Sequence, residues 1–201
     1  MENLAVRRDA DDYAAGLGNA GFEIKKIDGR ANGYRLVMKG FLSPGWIGRL
    51  TAGLAKRRID IVSAQAEKVS TTAWHSTFEL KAAPFAVDPL SHDYPTLAAT
   101  EESLGRSAAK IELLNYTIEP CKGQDGSLYV EVQGVDRLGF LGDLLDYFSM
   151  RCLFPVKMTI ETVGNAAVDR FWLRGVGGSR PSDSITSAVR ENLEKLLIGK
   201  V

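Results

Sequence analysis

The 201-residue sequence is short of most things that mark a specialised chemistry. Its two cysteines, Cys121 and Cys152, are too few for a disulfide framework or a cysteine-based zinc site. Its two histidines, His75 and His92, have no second ligand at metal spacing and are read as surface residues, so neither a metal nor a cofactor is expected. Lys+Arg and Asp+Glu are equal at 25 each, leaving none of the basic excess that holds a protein to nucleic-acid phosphates. No apolar run reaches the roughly 18 residues of a membrane span. The opening MENLAVRRDADDYAAG lacks the apolar core of a signal peptide. These absences predict a cytoplasmic protein with reduced thiols, no membrane contact and no nucleic-acid partner. What remains, 45% hydrophobic and 25% charged residues, is the usual globular mixture and excludes disordered, collagenous and coiled-coil chains.

The chain also repeats itself. YRLVMKGFLSPGWIGRL from Tyr34 aligns with LYVEVQGVDRLGFLGDL from Leu128 at an offset of 94 residues. At that offset Gly40, Gly45 and Gly48 meet Gly134, Gly139 and Gly142, Trp46 meets Phe140, and Val62 meets Val156. An offset of 93 then brings Phe78 onto Phe171 and Leu80 onto Leu173, as a shorter turn requires. A duplicated unit of roughly 90 residues is a common domain size. The division is expected to give residues 1–90 and 91–201.

Each copy reads alike. Tyr34, Leu36 and Met38 alternate with Arg35, Val37 and Lys39, and Leu128, Val130 and Val132 alternate with Tyr129, Glu131 and Gln133, the period of a half-buried strand. Phe140, Leu141, Leu144, Leu145 and Phe148 then recur at helical spacing, as do Trp46, Ile47, Leu50 and Leu54. Strand-like runs follow at 59–69 and 73–81 and at 153–163 and 166–174, the last two joined by Gly164-Asn165, a tight-hairpin pair. Further helices are expected at 9–20, at 94–108 and after Pro181-Ser182, with strands at 22–28 and 111–119. The short connections at 29–33 and 120–126 favour hairpins, so a helix and a strand are expected to precede each strand-helix-strand-strand block. Residues 83–94, with two prolines and no period, read as a linker.

The order strand, glycine-bearing turn, helix, strand, strand, helix resembles the ACT regulatory domain. VEVQGVDRLGFLGDLLDYFS (Val130 to Ser149) resembles that family's first strand, its Asp-x-x-Gly turn and its first helix. VKMTIETVGNAAVDRFWLRG resembles the strands that follow in the ACT modules of uridylyltransferase/uridylyl-removing enzymes. Copy one retains Pro44-Gly45 but has Leu42 where copy two has Asp136. The resemblance covers roughly 34–82 and 127–198 and implies an α+β fold: two ferredoxin-like βαββαβ sandwiches, antiparallel sheets with helices on one face. It also implies that an amino acid sits where the first strand passes into the first helix, often at an interface, which suits a homo-oligomer regulating a partner protein.

The residues at that turn agree in chemistry. A helix N-terminus offers unpaired N–H groups and a positive dipole end to a carboxylate. Glycine allows close backbone approach, and an Asp can take the ammonium group of the same zwitterion. The candidate ligand-binding residues are Asp136, Arg137, Gly139 and Phe140, with Ser43, Gly45 and Trp46 in copy one. Each has a plainer role: Asp136 as a helix cap, the glycines as bends, Trp46 and Phe140 as core. Lys56-Arg57-Arg58 complements a helix C-terminus, and Gly175–Ser179 lacks the Gly-Lys-Ser/Thr of a phosphate loop. No catalytic cluster appears, so the expected function is sensing of an amino acid rather than catalysis. The alternative is a ligand-free interaction or transcription-regulatory module of the glycine-cleavage-repressor kind.

Overall fold

A computed structural model describes residues 5–8, 20–100, 111–120 and 126–198. The protein is α+β, with antiparallel strands and four helices among the described residues. It divides into two compact units, Met1–Arg106 and Ser107–Val201.

Unit 1 contains β1 (Ala5–Arg8), β2 (Ala20–Lys26), β3 (Gly33–Phe41), α1 (Trp46–Lys56), β4 (Ile59–Lys68), β5 (Ala73–Ala82) and α2 (Tyr94–Ala99). Its strands lie in the order β1-β2-β3-β5-β4, each pair antiparallel. The alternation read in β3 is realised: Leu36 and Met38 are buried while Arg35 and Lys39 face out. Trp46 at the start of α1 packs edge-on against Trp74 and Phe78 of β5, with ring centroids 5.4 and 6.3 Å away. Tyr94 of α2 meets Phe22 of β2 at 5.5 Å on the same face of the sheet.

Unit 2 contains β6 (Leu113–Pro120), β7 (Leu128–Val135), α3 (Phe140–Ser149), β8 (Phe154–Val163), β9 (Ala166–Arg174) and α4 (Asp183–Glu194). Its strands lie in the order β8-β9-β7-β6, again antiparallel. Phe148 of α3 packs on Phe171 of β9 at 5.1 Å. The Ser182 hydroxyl caps α4 by accepting from the Ile185 N–H at 3.3 Å. After α4 the chain returns to the sheet: Leu113 N–H donates to the Leu196 carbonyl at 3.0 Å, and Ile198 N–H to the Leu113 carbonyl at 2.8 Å.

The repeat read in the sequence has counterparts in the backbone. Four singular features recur at the offset of 94. Left-handed residues stand at Asn32 and Gly126, at Gly45 and Gly139, and at Arg58 and Cys152. A bulge falls at Val62 in the β4–β5 pairing and at Val156 in the β8–β9 pairing. Left-handed Arg58 and Cys152 are uncommon for side chains with a Cβ. They recur at positions matched by the offset of 94.

Three expectations change. A helix and a strand were both expected to precede the second block. The strand does, as β6, but the described part of the helix, α2, packs on α1 and β2 of unit 1. Residues 83–94 are not a linker: Leu90 and Tyr94 are buried there, and the Tyr94 hydroxyl donates to the Pro89 carbonyl at 2.9 Å. Pro89 instead opens a helical turn capped by Asp88, and Pro95 sits in the first turn of α2 capped by Asp93, places where a missing N–H costs nothing. The expected boundary at residue 90 falls inside this packed stretch, whereas the units divide at 106/107. The helix expected at 9–20 and the rest of that at 94–108 fall outside the described residues, except that Ala20 begins β2 and Thr100 ends α2.

Candidate functional site

The turn from β7 into α3 is built on Gly139, whose φ of 86° is left-handed. Phe140 N–H donates to the Arg137 carbonyl at 3.1 Å and closes the turn. Asp136 is half-buried and fastened through its own N–H to the Asn165 carbonyl at 3.1 Å. No side chain caps α3, so the capping role open to Asp136 is not used. The Arg137 guanidinium pairs with Asp143 in the first turn of α3 and lies 5.9 Å from the centre of the Phe140 ring. Phe140 is core, as its place in the apolar stripe suggested: its ring covers Gly134, where any Cβ would come within 2.3 Å of it.

Beneath α3, β9 presents Ala167, Asp169, Phe171 and Leu173 to the interior. Asp169 is 1% exposed, and neither carboxylate oxygen has a hydrogen-bond partner among the described residues. Across the sheet it faces Val132 and Ile160, both apolar. Burial first, then the nearby Asp136 carboxylate, push its carboxyl up to about 8 against the opposing effect of Arg170. Arg170 does not neutralise it. Adjacent strand residues point to opposite faces, and the Arg170 guanidinium is held by Glu131 at 2.8 Å and Glu161 at 3.1 Å.

The matching turn of unit 1 is closed by the protein itself. Gly45 is left-handed at φ 79°. Arg49, reaching back from α1, donates to the Ser43 hydroxyl at 2.7 Å, the Pro44 carbonyl at 2.9 Å and the Ala98 carbonyl at 2.8 Å. Trp46 is 2% exposed and belongs to the core. Leu42, in the place of Asp136, is buried. Ser76, in the place of Asp169, is 1% exposed but donates to the Met38 carbonyl at 3.4 Å.

Of the candidate residues, Asp136, Arg137, Gly139 and Phe140 therefore meet at one turn, and Ser43, Gly45 and Trp46 at the other. Arg49, Asp143 and Asp169 were missed. The repeat held the signal for all three. Arg49 aligns with Asp143 and Ser43 with Arg137, an exchange of charge across the turn. Asp169 stands at the inward parity of an otherwise apolar alternation. Among the described residues no helix is long and apolar enough to cross a membrane, and no group of three or more His, Cys, Asp or Glu side chains is placed to hold a metal. No family model, curated protein or solved structure matches the chain.

Proposed function

We propose that the protein is a regulatory sensor of an amino acid, made of two ferredoxin-like units of ACT type, and that unit 2 carries the binding turn. The strand order within each unit supports the fold reading. β2-β3-β5-β4 and β6-β7-β9-β8 are the order of a βαββαβ sandwich whose last strand has moved to the front. One observation carries the functional reading: an uncapped helix start at Gly139 with Asp136 beside it and an unpartnered buried carboxylate, Asp169, below. The helix start suits the α-carboxylate and Asp136 the α-ammonium. Unit 1 offers neither, since Arg49 fills its turn and Leu42 replaces the acid. Ligand binding shifts the balance between conformations that a partner protein distinguishes.

Thermal shift against the twenty amino acids tests this reading, because a ligand specific to the folded form raises the melting temperature. The expected result is a rise with one amino acid or a chemically related few, lost in Asp136→Ala. No rise with any of them overturns it in favour of a ligand-free interaction module.

A further inference from the structure

A carboxylate buried without a partner is costly, and folded proteins rarely keep one unless something else supplies the charge or the hydrogen bonds. Asp169 is such a group, and among the described residues the arginines beside it are committed elsewhere. Arg170 lies on the opposite face between Glu131 and Glu161, and Arg137 is paired with Asp143. The apolar residues facing it, Val132 and Ile160, offer nothing. The matching position of unit 1 carries no such group. Where the fold needs only a small polar group, unit 1 uses Ser76, which satisfies itself on the Met38 carbonyl. Unit 2 has an ionisable carboxyl in that position, on the face that α3 covers and within electrostatic reach of Asp136.

We propose that Asp169 is the receptor for a second cationic group on the ligand, so that the amino acid bound by unit 2 has a basic side chain. The inference rests on the reading of the β7–α3 turn given above. Charges then balance one to one: the helix start with the α-carboxylate, Asp136 with the α-ammonium, and Asp169 with an ammonium or guanidinium at the end of a side chain several bonds long. A neutral side chain leaves Asp169 as it is in the free protein, buried and unpaired. A charged hydrogen bond in a desolvated place discriminates strongly against a ligand that lacks it.

The test compares L-lysine, L-norleucine, which keeps the chain but not its ammonium, and cadaverine, which keeps both amines but not the carboxylate. Binding is followed by calorimetry and thermal shift on the full chain. Lysine or arginine is expected to bind roughly tenfold or more tighter than norleucine. Asp169→Asn, which keeps the shape and removes the charge, should erase that ratio while leaving weak binding through Asp136. Norleucine binding as tightly as lysine overturns the inference yet leaves the amino-acid reading standing. Cadaverine binding as tightly as lysine, and lost in Asp169→Asn, supports the cation subsite while overturning the amino-acid reading. No binding by any of the three overturns the inference. The wild-type comparison of lysine with norleucine decides the matter even if the variant does not fold.

Discussion

At the turn after its long central strand, unit 1 places a guanidinium on the helix and its acceptors in the turn: Arg49 with Ser43 and Pro44. Unit 2 reverses the arrangement, with Arg137 in the turn and Asp143 on the helix. Both solutions brace the same left-handed glycine, and both have the same spacing, because the residues concerned are the same repeat positions. They differ in what is left over. In unit 1 the guanidinium also reaches the Ala98 carbonyl, so turn, α1 and α2 are tied together and Ser76 below is satisfied. In unit 2 the ion pair closes on itself and, among the described residues, leaves Asp136 at the rim and Asp169 in the interior without a counter-charge. Of the two matched positions, unit 2 alone has an acid at both, Asp136 and Asp169, where unit 1 has Leu42 and Ser76.

The largest break in this comparison should come from exchanging Asp169 and Ser76. An Asp that ionises near 4 when unfolded and near 8 when folded binds more protons in the folded state between those values. Its contribution to stability therefore falls as pH rises from about 4 to about 8, by on the order of 1.4 kcal/mol per pH unit, and levels off above. The charged groups acting on it, Asp136 and Arg170, are both included in that shift. Asp169→Asn should raise the melting temperature, little at pH 5 and most at pH 8.5. Ser76→Asp should lower it with the same pH dependence. Equal shifts at both pH values would mean that the Asp169 carboxylate is compensated in solution.

Much of this contrast was legible before any coordinate. Three glycines in register fixed the offset, and the bulge at Val62 and Val156 and the left-handed Arg58 and Cys152 fall where that offset puts them. The α4 helix announced itself through Ser182 and the stripe Ile185, Val189, Leu193. What escaped was decided by packing rather than pattern. Residues 83–94 have no period because their helical turns are too short to show one. Only Asp88 and Asp93, as caps before Pro89 and Pro95, signalled order. The assignment of α2 to unit 1 depends on the Tyr94–Phe22 contact, which no local signal encodes. Asp169 was visible as an odd charge at inward parity, but its lack of a partner is a property of three strands and a helix together.

A middle-sized contrast lies in the two glycines. Any L-residue at either position meets the strain of left-handed backbone, about 1–2 kcal/mol. A Cβ on Gly45 would also stand 3.1 Å from Arg49 Nη1, part of a guanidinium held by hydrogen bonds through its Nε and Nη2, whereas a Cβ on Gly139 meets nothing nearer than Arg137 Nη1 at 3.9 Å. Gly45→Ala should therefore destabilise more than Gly139→Ala in chemical denaturation. The reverse order would show that the Arg49 brace yields more readily than the Arg137–Asp143 pair.

The smallest contrast is between the two arginines. Arg49→Ala removes a donor from four acceptors, three of them backbone carbonyls, and loosens α1 from α2, so a loss of about 1 kcal/mol is expected. Arg137 and Asp143 keep 27% and 21% of their side-chain surface in water, and such a partly exposed pair contributes about 0.2–1 kcal/mol. Salt separates the two more cleanly than size. The Arg137–Asp143 contribution is Coulombic and should shrink as ionic strength rises, while Arg49 bonds neutral oxygens and should be nearly indifferent to it. Hydrogen exchange followed separately in α1 and α3, at low and high salt, reads both effects in one protein. If Arg137→Ala loosens α3 equally at both salt concentrations, the guanidinium works there by packing on Phe140, and the two turns are braced by different physics from that argued above.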